Sequence, residues 1–233
     1  MSEETRNAVK KEKGSLVHDA VILFIITVVA ALALGFVYEL TKDPIRNAQE
    51  QARIDAYKAV FPSMSGLKDP EGPSVLAEAN RLIEGNKAYE GVTIDEIIEV
   101  EDGSGRSLGW VMTVTSTKGY GGKITMALGI SNGSDFLAGG DKPGTLMGLE
   151  FLSISETPGL GMNAKEETFR SQFRGASVRQ YSLSKRNISG DTEINAISSA
   201  TITTTAVTRS VNAALEVVWE QFISVEAGRD SGK

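Results

Sequence analysis

The stretch that most limits the fold is Ala20–Tyr38, AVILFIITVVAALALGFVY, in which no residue carries a charge. At ~1.5 Å per residue, a helix of this length reaches roughly 28 Å, close to the ~30 Å hydrocarbon thickness of a bilayer. A cleaved signal peptide is the rival explanation, with Ala31-Leu32-Ala33 as its cleavage site. That tripeptide falls inside the apolar run, whereas a signal-peptide core is only about 7–15 residues long. The segment therefore reads as a retained transmembrane helix, with Tyr38 as an interfacial aromatic. Residues 1–19 form a polar tail. Lys10, Lys11 and Lys13 before the span are nearly balanced by Lys42, Arg46, Arg53 and Lys58 after it. Short tails stay in the cytoplasm and long domains translocate largely regardless of charge, which gives an N-in, domain-out reading.

The rest of the 233-residue chain, 41% hydrophobic overall, suffices for one good-sized soluble domain. Lys and Arg number 24 against 30 acidic residues, a formal charge of −6. Residues 1–19 hold four charges of each sign, so the acidic excess lies beyond the anchor. This balance argues against nucleic acid as a partner, because such binding depends on neutralising phosphates. There is no cysteine, and the single histidine, His18, precedes the anchor. Thiolate-bound clusters, Cys-rich zinc sites, c-type haem attachment and disulfides are thereby excluded, and no metal site is expected. Redox chemistry in this chain would need an organic cofactor. GxSxG, HExxH and Walker A motifs are absent, and the soluble part has no histidine to act as a base, so hydrolase chemistry finds no support.

Along the chain, Asp43-Pro44 reads as a helix start, with Pro tolerated in the first turn. Residues 44–60 continue as a polar helix, and residues 39–85 together form a helical stalk and linker. Within it, 63–75 is loop and Val75–Ile83 a short helix. The domain proper is placed at 86–225, followed by a tail at 226–233. Val92–Glu101 and Ser107–Thr117 flank the hairpin turn Asp102-Gly103-Ser104-Gly105. Lys123–Ser131 and Leu146–Ser155 read as further strands, with loops at Asn132-Gly133 and Gly139-Gly140. A helix over Lys165–Phe173 and a short strand near Gln180–Ser184 follow. From Val207, the residues Val211, Ala214, Leu215, Val218 and Phe222 recur at steps of three and four, the stripe of an amphipathic helix. Strands in a run with helices at the end predict an α+β domain, an antiparallel-biased sheet with helices packed on it.

The Ser/Thr-rich run Ser198–Thr205 at the mouth of the last helix has two readings. Its hydroxyls are ordinary N-cap residues. Alternatively, one of them attaches a phosphate-bearing cofactor, since free N–H donors and the positive end of the helix dipole converge there. Glu156-Thr157-Pro158-Gly159-Leu160-Gly161 is a Pro/Gly turn whose glycines let backbone approach a ligand. Gly119-Tyr120-Gly121-Gly122 by itself reads as a hairpin loop, since Gly clusters are ordinary turn formers. Glu156 either accepts a hydrogen bond from such a ligand or caps the turn that follows it.

Together Asn195-Ala196-Ile197-Ser198-Ser199-Ala200-Thr201, the Glu156–Gly161 hexapeptide and Gly119–Gly122 resemble the covalent FMN-binding domain. That domain occurs in the G component of the Rnf ion-translocating electron-transport complex and in the C component of the sodium-translocating NADH:quinone oxidoreductase. The resemblance runs from the anchor to the last helix, and the hexapeptide is its most specific part. It implies FMN joined by a phosphoester to Thr201, with Ser198, Ser199, Ala200, Glu156, Thr157, Gly159, Leu160, Gly161 and Tyr120 around the cofactor. It also implies a flavin transferase for maturation, membrane and redox subunits as partners, and an electron-transfer component rather than a complete enzyme. The parent complex would pass electrons between ferredoxin and NAD+ and export Na+ or H+. Ser199 stands where the family has Gly, and Asn195 where it has Asp. Two other readings stay open. One is the C component of the quinone oxidoreductase or a stand-alone flavinylated shuttle; the other is an anchored, non-redox module binding a phosphorylated ligand.

Overall fold

The computed structural model describes residues 3–133, 142–184 and 192–224, with side chains from residue 17 onward. The Gly139-Gly140 loop and the 226–233 tail lie outside the described residues. The elements in chain order are α1 (Glu3–Val60), β1 (Gly66–Leu67), α2 (Pro73–Ile83), β2 (Val92–Glu101), β3 (Ser107–Ser116), β4 (Ile124–Ser131) and β5 (Leu146–Ile154). After them come α3 (Glu167–Arg170), β6 (Ser182–Ser184), β7 (Glu193–Asn195) and α4 (Thr201–Val218). The chain divides into two compact units, Met1–Gln51 and Ala52–Lys233.

The first unit is helix. The segment Val17–Val60 of α1 is long and apolar enough to cross a membrane by length and composition, and Leu23, Phe24, Leu32, Leu34 and Phe36 are all exposed. The expected helix start at Asp43-Pro44 is not one: α1 runs through Pro44 without a break. Proline there removes the amide that would bond the Leu40 carbonyl, a cost of about 3 kcal/mol. Starting a new helix costs more order than extending an existing one, and the Ala, Glu, Gln and Arg residues that follow are strong helix formers.

In the second unit the sheet order is β1-β2-β3-β4-β5, every pairing antiparallel. The β2–β3 turn forms as expected. Asp102 Oδ1 accepts from the Ser104 amide at 2.8 Å, the Ser104 hydroxyl at 2.6 Å and the Arg106 amide at 3.1 Å. These bonds lower the pKa of the half-buried Asp102 carboxyl to about 2. Side chains alternate across the pleat. Trp110, Met112 and Val114 enter a large core with α2 and α4, while Val111 joins Ile98, Val100, Leu108 and Ala127 on the opposite face.

That second face is covered by the end of α1. Tyr57, Val60 and Phe61 are fully buried there, and Tyr57 Oη donates to Glu96 Oε2 at 2.6 Å, which Arg53 also contacts at 3.0 Å. Burial, then the bond to Glu96, push the Tyr57 phenol well above its ordinary range. Residues 52–85 are therefore part of the folded unit rather than stalk and linker, and Gly66–Leu67 forms an edge strand where a loop was expected. The polar run PIRNAQEQARIDAYKAV masks a short buried face, Ala56, Tyr57 and Val60, that only the sheet reveals.

Two further expectations change. The helix over Lys165–Phe173 is three short turns, 3-10 at Gly161–Lys165 and Ser171–Phe173 with α3 between. Glu193–Asn195, unassigned in the sequence, pairs in parallel with β6, too short for a periodic signal. The stripe on α4 is as expected, with Val207, Val211, Ala214, Leu215 and Val218 buried. Phe222 lies in a π-helical turn just beyond, its ring 4.8 Å from that of Trp110.

Candidate functional site

Three connections of the fold end at one place: the β3–β4 loop, the segment leaving β5, and the turn entering α4. Between them is a cleft of about 490 Å³ lined by Tyr120, Glu156, Thr157, Leu160, Gly161, Ser199, Ala200, Thr201, Ile202 and Thr203. That volume lies within the ~300–1,000 Å³ of small-molecule sites. Eight of the ten residues singled out from sequence are in this lining. Ser198 is exposed in the turn but does not line the cleft. Gly159 does not line it either. Gly159 sits at φ +74 after Pro158, with the Leu160 amide bonded to the Thr157 carbonyl at 3.1 Å, so it serves the turn. A Cβ there would meet nothing within 4 Å. The glycine that permits close approach is Gly161, whose Cβ would stand 2.6 Å from both Glu156 Oε2 and Thr203 Oγ1.

The start of α4 differs from an ordinary capped helix. Its N-cap is Ala200, with no side-chain capping bond. The hydroxyls look inward instead: Thr204 Oγ1 donates to the Ala200 carbonyl at 3.0 Å and accepts from the Ile197 amide at 3.1 Å, and Thr205 Oγ1 donates to the Thr201 carbonyl at 2.7 Å. The first helical amide with an acceptor is that of Thr204, bonded to Ala200. The amides of Thr201, Ile202 and Thr203 have none among the described residues, at the positive end of the helix dipole. The Thr201 side chain is exposed, and its hydroxyl has no hydrogen bond among the described residues. Amides without acceptors and an exposed hydroxyl thus meet at one helix N-terminus, where anions are favoured.

Glu156 lines the cleft and, among the described residues, bonds elements distant in the chain rather than the turn that follows it. It is buried, its Oε1 accepts from the Gly121 amide at 3.1 Å, and its Oε2 accepts from Thr203 Oγ1 at 3.0 Å. It ties the β3–β4 loop to the first turn of α4. Thr203 and Ile202 were not picked out as binding residues, and nothing local in the sequence marks them. Thr203 matters because of what faces it from 47 positions away. The rim is apolar: Tyr120 is 71% exposed, Ile202 54% and Leu160 40%, and the other exposed large apolar side chains described in this unit are Leu67 and Leu82 at 36%.

Residues 10–60 match the RnfG N-terminal region, and residues 119–216 match the FMN-binding domain. The chain thus carries both an RnfG N-terminal region and an FMN-binding domain. It is 28% identical over 218 residues to the G component of the Na(+)-translocating ferredoxin:NAD(+) oxidoreductase complex of Acetobacterium woodii, covering 92% of this chain and 97% of that one. It is 29% identical over 201 residues to the G component of the ion-translocating oxidoreductase complex of Methanosarcina acetivorans, covering 86% of this chain and 93% of the other. A crystal structure of NqrC from Shewanella oneidensis aligns at 15% identity over 72% of this chain and 74% of its own, with a TM-score of 0.45.

The whole cleft lies within the matched FMN-binding domain. One departure from the RnfG-type motif gains a physical meaning. Ser199 has φ +61 and is the one non-glycine at positive φ among the described residues. A left-handed backbone costs an L-residue roughly 1–2 kcal/mol, and glycine escapes that cost. Ser199→Gly is therefore expected to stabilise the protein by about 1 kcal/mol, a rise of ~2–4 °C in Tm for a unit of this size. Thermal unfolding of the two forms checks this, and an equal or lower Tm for the glycine form would contradict it.

Proposed function

We propose that this chain is a membrane-anchored flavoprotein subunit whose FMN is joined by its phosphate to Thr201 Oγ. It carries electrons beside other membrane and redox subunits of an Rnf-type complex coupled to Na+ or H+ translocation. The observation that carries this reading is the coincidence, among the described residues, of an exposed, unengaged Thr201 hydroxyl with the three acceptor-free amides of Thr201, Ile202 and Thr203 in one cleft.

The residues present suit FMN. The amides at the start of α4 would neutralise the phosphate, and Tyr120, Leu160 and Ile202 would pack on the flat ring. Bound FMN supplies the electron-carrying chemistry; the chain supplies attachment, orientation and the surrounding field. Among the candidate hydroxyls, Thr203, Thr204 and Thr205 are engaged in hydrogen bonds, and Ser198 stands outside the cleft. Thr201 and Ser199 remain, and Thr201 closes the family motif. A covalent tether suits a domain held outside the cytoplasm, where a dissociated cofactor is not readily replaced. The N-terminal tail would lie in the cytoplasm and α1 would span the membrane once.

The test is to express the full-length chain with a flavin transferase and examine the membrane fraction. The expected product is a membrane-bound yellow protein that keeps its flavin fluorescence after acid denaturation, with one FMN phosphoester in the intact mass. Flavin released by acid would favour a noncovalent binding module. A colourless protein would sink the reading.

A further inference from the structure

Glu156 is the single charged side chain among the buried described residues, 7% exposed. Both of its oxygens accept from neutral donors, the Gly121 amide and the Thr203 hydroxyl. No cation pairs with it among the described residues. Elsewhere in this unit, partly buried carboxylates have one: Glu96 has Arg53, Glu99 has Lys68 and Glu150 has Arg170. Burying a carboxylate without a counter-charge costs several kcal/mol, and a fold normally avoids it. Here backbone is shaped to admit it. A Cβ on Gly119 would stand 2.7 Å from Oε1, and one on Gly161 would stand 2.6 Å from Oε2. Two glycines thus leave room for a carboxylate that lines the cleft.

We propose that Glu156 is a positioning residue that also sets the electron affinity of the site: its uncompensated negative charge, fixed in the cleft by Gly121 and Thr203, opposes adding electrons to a flavin held there. This rests on the FMN reading above. Charge beside a redox cofactor tunes it most strongly where the charged group is itself buried and has no cationic partner, and Glu156 meets both conditions among the described residues. A flavin in this cleft is a stronger reductant than it would be beside a neutral residue. The same carboxylate keeps the β3–β4 loop, with Tyr120, in register with the first turn of α4.

The experiment uses the full-length, flavin-loaded protein and its Glu156→Gln variant. Glutamine keeps the shape and the bonding: its Oε1 can accept from the Gly121 amide, and its Nε2 can donate to Thr203 Oγ1, a hydroxyl that accepts as well as donates. Each protein is titrated with dithionite against a reference dye, following flavin absorbance. The expected result is full loading in both, with the midpoint potential of the variant displaced to more positive values. An unchanged or more negative potential overturns the proposal. A variant that folds without taking up flavin, or fails to fold, also overturns it, because the charge would then serve attachment or the fold. Wild-type protein without flavin would instead defeat the FMN reading itself.

Discussion

Thr201→Val is expected to abolish covalent flavin completely while leaving the protein folded. The phosphoester needs an oxygen nucleophile, and valine keeps the β-branched shape while removing the hydroxyl. An N-cap hydroxyl would cost ~0.5–2 kcal/mol to lose, but Thr201 is not the N-cap and its hydroxyl has no hydrogen bond among the described residues. The stability change should therefore be about 0.5 kcal/mol or less, as for other exposed positions. In-gel flavin fluorescence and the mass of the peptide spanning residues 187–209 read the outcome. An adduct that persists, or that maps to Ser199, would show that the wrong oxygen has been chosen. Thr201→Ser tests the same point from the other side, since it retains the oxygen and loses only a methyl group.

The second large effect belongs to Gly161. Gly161→Val drives side-chain atoms into the 2.6 Å gaps to Glu156 Oε2 and Thr203 Oγ1, which are bonded to each other, and against Glu156 Cβ at 2.8 Å, which cannot swing away. Overpacking costs ~1–3 kcal/mol, and breaking the bond leaves a buried carboxylate short of a donor, for a combined loss of about 3–5 kcal/mol. For a unit of this size the Tm should fall on the order of 10 °C, and the flavin absorbance should shift as the loop and helix separate. Gly159→Ala is the control. Its Cβ meets open space, so only the left-handed backbone, roughly 1–2 kcal/mol, opposes it. Equal effects at the two glycines would show that the hexapeptide is a turn and nothing more.

What could be read in the sequence was whatever repeats locally. Strands β2 to β5 carry alternation and sharp turn signals, and their ends fall within a residue or two of expectation. The stripe of α4 was legible for the same reason. What escaped depends on distant partners. The buried face of residues 52–60 is a few side chains wide and has meaning only against Ile98, Val100 and Val111. Pro44 signals a helix start, but cooperativity carried α1 through it. At the site, the motifs lie on segments that meet at one cleft, but they do not tell the glycines apart. The turn glycine and the contact glycine two positions later look alike in a string of letters. Glu156 was ambiguous because its partners, Gly121 in a loop and Thr203 in the first turn of α4, lie 35 positions before it and 47 after it.

The open rim of the cleft has a consequence for life in air. Tyr120, Leu160 and Ile202 face solvent, with no described segment folded across them. A site that shuts out the surroundings protects a reactive cofactor from side reactions, and no described residue closes this one. Whatever accepts electrons by contact can reach a group held there, the intended partner and dissolved oxygen alike. Openness thus trades insulation for ready exchange, and it favours a carrier that is emptied as soon as it is filled.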